Sequence, residues 1–119
     1  MTTKIKLGRD NFIELRAAKL WNRAKSRNKP SFQITKGWIK KRLLGGCCEV
    51  TGIEFSYDKP KPHYNANPFS PSLDRIDSRK GYTYKNTQVV IWGYNVAKSF
   101  LDPDDFERLL RGINGHNFF

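Results

Sequence analysis

The sequence predicts a small α+β fold in one domain. At 119 residues the chain is long enough for one modest hydrophobic core and too short for two. Hydrophobic residues make up 38% of it and aromatic residues 13%, as in folded chains. Segments with a helical spacing of apolar residues flank a central part of short strand-like segments. The predicted domain spans 1–119, with basic helices over 10–44, a core over 47–99 and a C-terminal helix over 102–114.

Two basic helices are predicted in the first third of the chain. The first runs from 10 to 27 with Asp10 as its N-terminal cap, and the second begins after Thr35 and ends at Gly45-Gly46. A charged helix face is usually just solvated, but it also suits a phosphate backbone. The apolar stripes are expected at Phe12, Leu15, Leu20 and Trp21 in the first helix and at Trp38, Ile39, Leu43 and Leu44 in the second.

The rest of the chain predicts a hairpin, a loop, two strands and two helices. CCEVTGIEFSY is typical of a hairpin that turns at Thr51-Gly52, and a proline-rich loop of about fifteen residues follows it. The strands SLDRI and TQVVIW flank a turn over 77–81, where we expect Gly81 to adopt a positive φ, and a helix through NVAKSF follows. The last helix is expected to have Asp102 as cap, Pro103 at its first position and Phe106, Leu109, Leu110 and Ile113 as its apolar stripe.

The net charge indicates a polyanionic partner. Lys and Arg total 22 against 11 for Asp and Glu, which gives a formal charge of +11. Contacts to phosphates release condensed counterions, so an excess of this size favours nucleic acid over a merely solvated surface.

Cysteine content and hydropathy indicate the cellular setting. Cys47 and Cys48 are neighbours, which disfavours a disulfide between them, and two cysteines are too few for a structural zinc site. We therefore expect small buried thiols in a reducing compartment. No apolar run approaches the about 18 residues of a membrane span, and the opening residues lack the apolar stretch of a secretory signal. These features predict a cytoplasmic protein with no membrane partner.

Asp74, Asn86 and Asn95 are the residues most suggestive of chemistry. A carboxylate at the end of one strand and an amide on the helix after the next can face each other across a small cleft. Two oxygen ligands suffice for a hard divalent cation when water and phosphate complete its shell, and Asn86 can tie the intervening turn to the strand. Each residue also has an ordinary explanation: Asp74 can pair with Arg75 or a lysine, Asn86 can be a turn residue, and Asn95 can cap a helix.

This stretch resembles the HNH nucleases of the ββα-metal superfamily, especially the phage and intron-encoded type. The elements that carry the resemblance are C-x-x-T-G, S-L-D-R-I-D, K-G-Y-T and two asparagines, at 48–52, 72–77, 80–83, 86 and 95. The resemblance covers about residues 47–99 and implies a ββα-metal core that hydrolyses DNA phosphodiester bonds. It further implies that Asp74 and Asn95 hold Mg²⁺ or another divalent cation such as Mn²⁺, with Asn86 as the structural asparagine. Double-stranded DNA is the implied partner. The resemblance leaves open whether one or both strands are cut, whether the protein forms a homodimer, and whether its role is in homing, restriction or a phage.

Arg75 departs from the commoner family form, which has a histidine there as general base. A guanidinium stays protonated and cannot take a proton, but it can clamp a phosphate oxygen through a fork of hydrogen bonds. The base is therefore unassigned. His63 is the first candidate, because histidine titrates near neutral pH and this one lies on the loop that leads into the Asp74 strand. Glu49 and Tyr57 are weaker candidates, and loss of the proton to solvent is another alternative.

Two other functions are consistent with the sequence. One is a non-catalytic duplex DNA-binding domain on a degenerate HNH scaffold, and the other is an RNA-binding module. The second would stack bases on Trp21, Trp38 and Trp92, although their apolar positions favour packing in the core. Asp77 is expected to organise the turn after the first strand. The DNA contacts are expected at Arg23, Arg27, Lys40, Lys41, Arg79 and Lys80.

Overall fold

A computed structural model describes residues 2–27 and 29–116, in which four helices surround a two-stranded antiparallel sheet. This confirms the predicted α+β class. None of the helices in this part of the chain is long and apolar enough to cross a membrane. The elements in chain order are α1 (Thr2–Ser26), α2 (Lys36–Leu44), β1 (Pro71–Arg75), β2 (Thr87–Ile91), α3 (Trp92–Phe100) and α4 (Pro103–Asn114).

Helix α1 differs from its prediction in both its start and its buried face. It begins at Thr2, so the assignment of Asp10 as a cap was wrong. Residues 2–9 contain no proline, and nothing in their sequence forces a helix to begin at 10. The predicted stripe was also wrong in its first half, because Phe12 and Leu15 are exposed. The helix instead buries Ile13, Ala17 and Ala24, and the two alanines allow α2 to approach closely.

Helix α2 follows the prediction at both ends. The Thr35 hydroxyl accepts a hydrogen bond from the backbone N–H of Trp38, which satisfies one of the free amides of the first turn. Ile39 and Leu43 are fully buried. Leu44 is 56% exposed, so its place in the inward stripe was wrong, because the helix ends there.

The expected hairpin after α2 is reduced to a tight turn with one bridge between Cys47 and Glu54. Gly52 has a φ of 75° and donates its N–H to the Cys48 carbonyl, as the predicted turn requires. Because the strands around the turn do not extend further, Cys47 is left exposed while Cys48 is buried. The prediction of two buried thiols is thus right for Cys48 alone.

Strands β1 and β2 pair in the register Pro71 with Ile91 through Arg75 with Thr87. Val89 and Val90 are completely buried, so β2 is covered on both faces and lies at the centre of the core. Trp92 was expected to end this strand but begins α3. The strand therefore passes directly into the helix, and α3 packs on both strands.

Two predictions on the C-terminal half were wrong: the positive φ of Gly81 and part of the apolar stripe of the last helix. Gly81 does not adopt a positive φ; it is needed because a Cβ there would lie 1.9 Å from the carbonyl oxygen of Ser31. Helix α4 has the expected cap, in which Asp102 accepts from the N–H of Asp105, with Pro103 at the first position. Phe106 is buried against Tyr94 of α3. The rest of the stripe is uncovered or half-covered: Leu109 and Ile113 are exposed, and Leu110 is intermediate.

Candidate metal and nucleic-acid site

Asn86 holds the turn between β1 and β2. Its Oδ1 accepts from the N–H of Asp77 at 2.8 Å, and its Nδ2 donates to the carbonyls of Asp77 and Gly81 at 3.0 and 2.9 Å. The side chain is 8% exposed. These bonds tie the ends of the turn to the start of β2, which is the structural role that the sequence suggested for Asn86.

Asp77 completes this turn, as expected. Its carboxylate accepts from the backbone N–H of Arg79 and from the Arg79 guanidinium at 3.0 to 3.1 Å. The guanidinium hydrogen bond and then the backbone N–H lower the pKa of Asp77 from 3.8 to about 2. Arg79, one of the predicted DNA contacts, is therefore ion-paired within the turn, although its side chain is 87% exposed.

Asp74 is a buried carboxylate with two side-chain partners. It is 3% exposed. Gln88 on β2 donates to Oδ2 at 2.8 Å, directly opposite in the strand register. Lys98 on α3 donates to Oδ1 and Oδ2 at 3.1 and 3.0 Å. A buried charge is stable only when it is paired and hydrogen-bonded, and Asp74 meets both conditions.

Asn95 lies one helical turn before Lys98 and faces the same strand. Its Nδ2 donates to the Ser72 hydroxyl and to the Leu73 carbonyl, both at 2.9 Å. This fixes the orientation of the amide, because the nitrogen is used by β1. The carbonyl oxygen accepts no hydrogen bond within the described residues and belongs to a residue that lines an open groove. Asn95 thus bonds to the two residues that precede Asp74 on β1.

The donor set at this position suits a hard divalent cation. A carboxylate and a free amide oxygen are the ligands that Mg²⁺ takes, and among the described residues Asp74 Oδ1 accepts a hydrogen bond from Lys98 alone. No three His, Cys, Asp or Glu side chains converge on one point among the side chains that the structure describes. A cation held by Asp74 and Asn95 would therefore draw the rest of its shell from water and phosphate. Lys98 already contacts this carboxylate.

Arg75 projects away from this pair, toward the turn. Its Nη1 donates to the carbonyls of Ser78 and Lys80 at 2.8 and 3.2 Å, and its guanidinium lies 5.3 Å from the centre of the Tyr82 ring. The Nε and Nη2 edge makes no hydrogen bond to other described residues. That edge retains the fork geometry that binds a phosphate through two parallel hydrogen bonds.

The candidate bases lie in three different surroundings. His63 is exposed on the loop and packs edge-to-face on Tyr64, with 4.4 Å between ring centres. Glu49 accepts from Arg42 at 2.6 Å and from the N–H of Val89 at 2.8 Å, and these contacts favour a structural role. Tyr57 packs edge-to-face on Phe12 of α1 and lies beneath Arg16.

A groove of about 500 Å³ runs between α1 and the β1–α3 unit. Three basic residues of α1 and Arg27, directly after the helix, form one wall, and Ser72, Asn95 and residues of the loop before β1 form the other. None of the four makes an ion pair with a carboxylate of the described residues. We call this surface the basic groove; its cationic wall consists of Arg16, Lys19, Arg23 and Arg27.

The predicted DNA contacts are divided between the basic groove and other surfaces. Arg23 and Arg27 line it, whereas Lys40 is ion-paired with Glu14 at 2.9 Å. Lys41 and Lys80 are exposed outside its lining. Two of the three tryptophans serve packing: Trp21 donates a hydrogen bond to the Ile34 carbonyl, and the Trp38 ring packs at a tilt against Tyr84. Trp92 lines the basic groove.

The partners of Asp74 are Lys98 and Gln88; the sequence suggested a lysine as one alternative without identifying Lys98, and it did not suggest Gln88. The position of Lys98 three residues after Asn95 was an available signal, because residues three apart share a helix face. Gln88 could be placed opposite Asp74 only after the strand register was known. Comparisons of this chain with protein-family models, curated proteins and solved structures found no match.

Proposed function

We propose that this protein is a divalent-metal-dependent DNA endonuclease of the HNH type. The observation that carries the proposal is the unit formed by β1, β2 and α3. In this unit α3 carries Asn95, which bonds to the residues just before Asp74, while Asn86 fixes the turn. An antiparallel pair of strands followed directly by a helix supports the ββα core that the resemblance to HNH nucleases implies for residues 47–99.

The basic groove supports nucleic acid as the substrate. Helix α1 rises about 15 Å from Arg16 to its end at Ser26, at 1.5 Å per residue, and Arg27 extends the cationic wall slightly further. One DNA strand carries a phosphate about every 3.4 Å along the axis, so this length corresponds to about five phosphates. Unpaired cations facing a groove are stabilised by a polyanion more than by water alone. The Asn95 wall of the groove would lie against the same strand.

The residues of this chain have distinct roles in the proposed reaction. Asp74 and Asn95 would hold the divalent cation, and that cation would supply neutralisation of negative charge on the leaving oxygen. The free edge of the Arg75 guanidinium clamps a phosphate oxygen. Asn86 and Asp77 keep the turn that supports Arg75 in place. His63 is the proposed base.

Cleavage of supercoiled plasmid by variants tests this proposal. With Mg²⁺ present, Asp74→Ala and Asn95→Ala should cut at less than a tenth of the wild-type rate, because each lost ligand costs more than about 1.4 kcal/mol of transition-state stabilisation. Both variants should keep their affinity for DNA, since the groove cations are unchanged. Asn22→Ala, on the exposed face of α1, is the matched control. Undiminished cleavage by either site variant contradicts the proposal.

A second function is favoured by the Lys98–Asp74 ion pair. An ammonium that already neutralises Asp74 gives a stable centre without any metal, as in a DNA-binding domain that does not cut. Such a domain would bind duplex DNA equally in Mg²⁺ and in chelator and would leave plasmid intact in both. Cleavage in Mg²⁺ alone eliminates this alternative.

A further inference from the structure

Lys98 sits in a cation site built from the end of β1. Its Nζ contacts both oxygens of Asp74 and also donates to the carbonyls of Arg75 and Ile76 at 2.9 and 3.2 Å. Four oxygen acceptors therefore surround an ammonium that has only three protons. The Lys98 side chain is 24% exposed, and that of Asp74 is 4% exposed. A cation in this position is enclosed on most sides by protein oxygen atoms.

We propose that Lys98 is an internal counter-ion that competes with the divalent cation for Asp74. This inference rests on the proposed function, which assigns Asp74 as a metal ligand. Asp74 Oδ2 accepts from both Gln88 and Lys98, and Oδ1 accepts from Lys98. A divalent cation that binds Asp74 meets the positive charge of the ammonium at close range, where partial burial limits screening by water. Metal binding accordingly requires Lys98 to leave the carboxylate.

The remaining hydrogen bonds of Lys98 would hold the ammonium after it is displaced from Asp74. The Arg75 and Ile76 carbonyls follow Asp74 along the chain and keep accepting from Nζ after it leaves the carboxylate. In the absence of metal, Lys98 prevents Asp74 from being an unpaired buried charge, which would strongly destabilise the fold. The lysine therefore stabilises the protein without metal and lowers its affinity for metal.

Direct titration with Mn²⁺, followed by electron paramagnetic resonance of the free ion, measures this competition. Lys98→Met removes the charge and keeps the length of the side chain, so we expect its Kd for Mn²⁺ to be at least about tenfold tighter than that of the wild type. Lys98→Arg keeps a charge and should not gain affinity. Lys40→Met is the matched control, because it also frees a carboxylate, Glu14, from an ion pair and lowers the net charge equally. Asp74→Ala combined with Lys98→Met should lose the gain.

Several outcomes overturn the inference. Equal or weaker Mn²⁺ binding by Lys98→Met does so, as does a gain that survives in the double variant. If Lys98→Met is unfolded without metal, its melting is followed with added Mn²⁺. Recovery of the fold supports the competition, and failure to recover refutes it.

The inference and the proposed function fail separately. Plasmid cleavage by the wild type in Mg²⁺, with unchanged affinity in Lys98→Met, refutes the role of Lys98 alone. Tight Mn²⁺ binding by Lys98→Met, with no cleavage by the wild type, refutes the nuclease alone.

Discussion

Replacement of Asn86 by alanine should destabilise the protein more than a substitution in a turn usually does. The substitution removes three hydrogen bonds from a side chain that is 8% exposed. At about 1 kcal/mol for each net hydrogen bond, the loss is about 3 kcal/mol. A domain of this size has a free energy of unfolding of about 5 to 15 kcal/mol, so the loss is a large fraction of the total.

Urea denaturation followed by tryptophan fluorescence measures this loss. With an m-value of about 1.5 kcal/mol/M, the midpoint should fall by about 2 M. Asn22→Ala is the control, because Asn22 is exposed on α1 and alanine favours helix there, so its midpoint should change little. A loss below about 1 kcal/mol for Asn86→Ala would refute the reasoning that these bonds hold the turn.

Four further predictions concern the turn after β1 and the proposed phosphate clamp and base. Gly81→Ala should lower the free energy of unfolding by about 3 kcal/mol, because the new Cβ would lie 1.9 Å from the Ser31 carbonyl oxygen. Gly37→Ala is the control and should be neutral or stabilising, because the nearest atom to its new Cβ is 3.9 Å away. Equal effects of the two substitutions in thermal melting would contradict this prediction. Because the pKa of Asp77 is lowered to about 2, this carboxylate contributes its full stabilisation above about pH 4 and loses it as the pH falls toward 2. NMR titration should show this low pKa in the wild type and a pKa closer to 3.8 in Arg79→Ala. A wild-type pKa near 3.8 would exclude the Arg79 contact in solution. Arg75→Lys should cleave DNA more slowly than the wild type while binding it as tightly, and His63→Ala should be nearly inactive. A wild-type cleavage rate in Arg75→Lys would refute the phosphate clamp, and a wild-type rate in His63→Ala would refute the role of His63 as base.

The sequence predicted those features that depend on local contacts. Asp102 was identified as a cap, and the start of α2 was placed directly after Thr35, because a cap needs only an oxygen side chain before a helical stretch. The two strands around Asp74 and Asn86 followed from their apolar residues and the turn between them. The place of Asn95 on the following helix was right as well, although the helix begins earlier, at Trp92.

The features that were not predicted depend on distant parts of the chain. Helix α1 packs through Ala17 and Ala24, and hydrophobic periodicity gives more weight to larger side chains such as Phe12. Gly81 is required by Ser31, which is 50 residues earlier, and no local turn rule contains that contact. The bond from Lys98 to Asp74 needed the docking of α3 on β1, which the sequence leaves undetermined.

Incubation of wild-type protein with supercoiled plasmid, in Mg²⁺ or in excess chelator, is the decisive assay for metal-dependent cleavage. We expect loss of the supercoiled band over time in Mg²⁺ and its full retention in chelator, with DNA binding retained in both. We also expect DNA affinity to fall with salt at a log–log slope near −4.5, for about five phosphates. Intact plasmid at every Mg²⁺ concentration, with undiminished binding, would contradict the assignment as a nuclease.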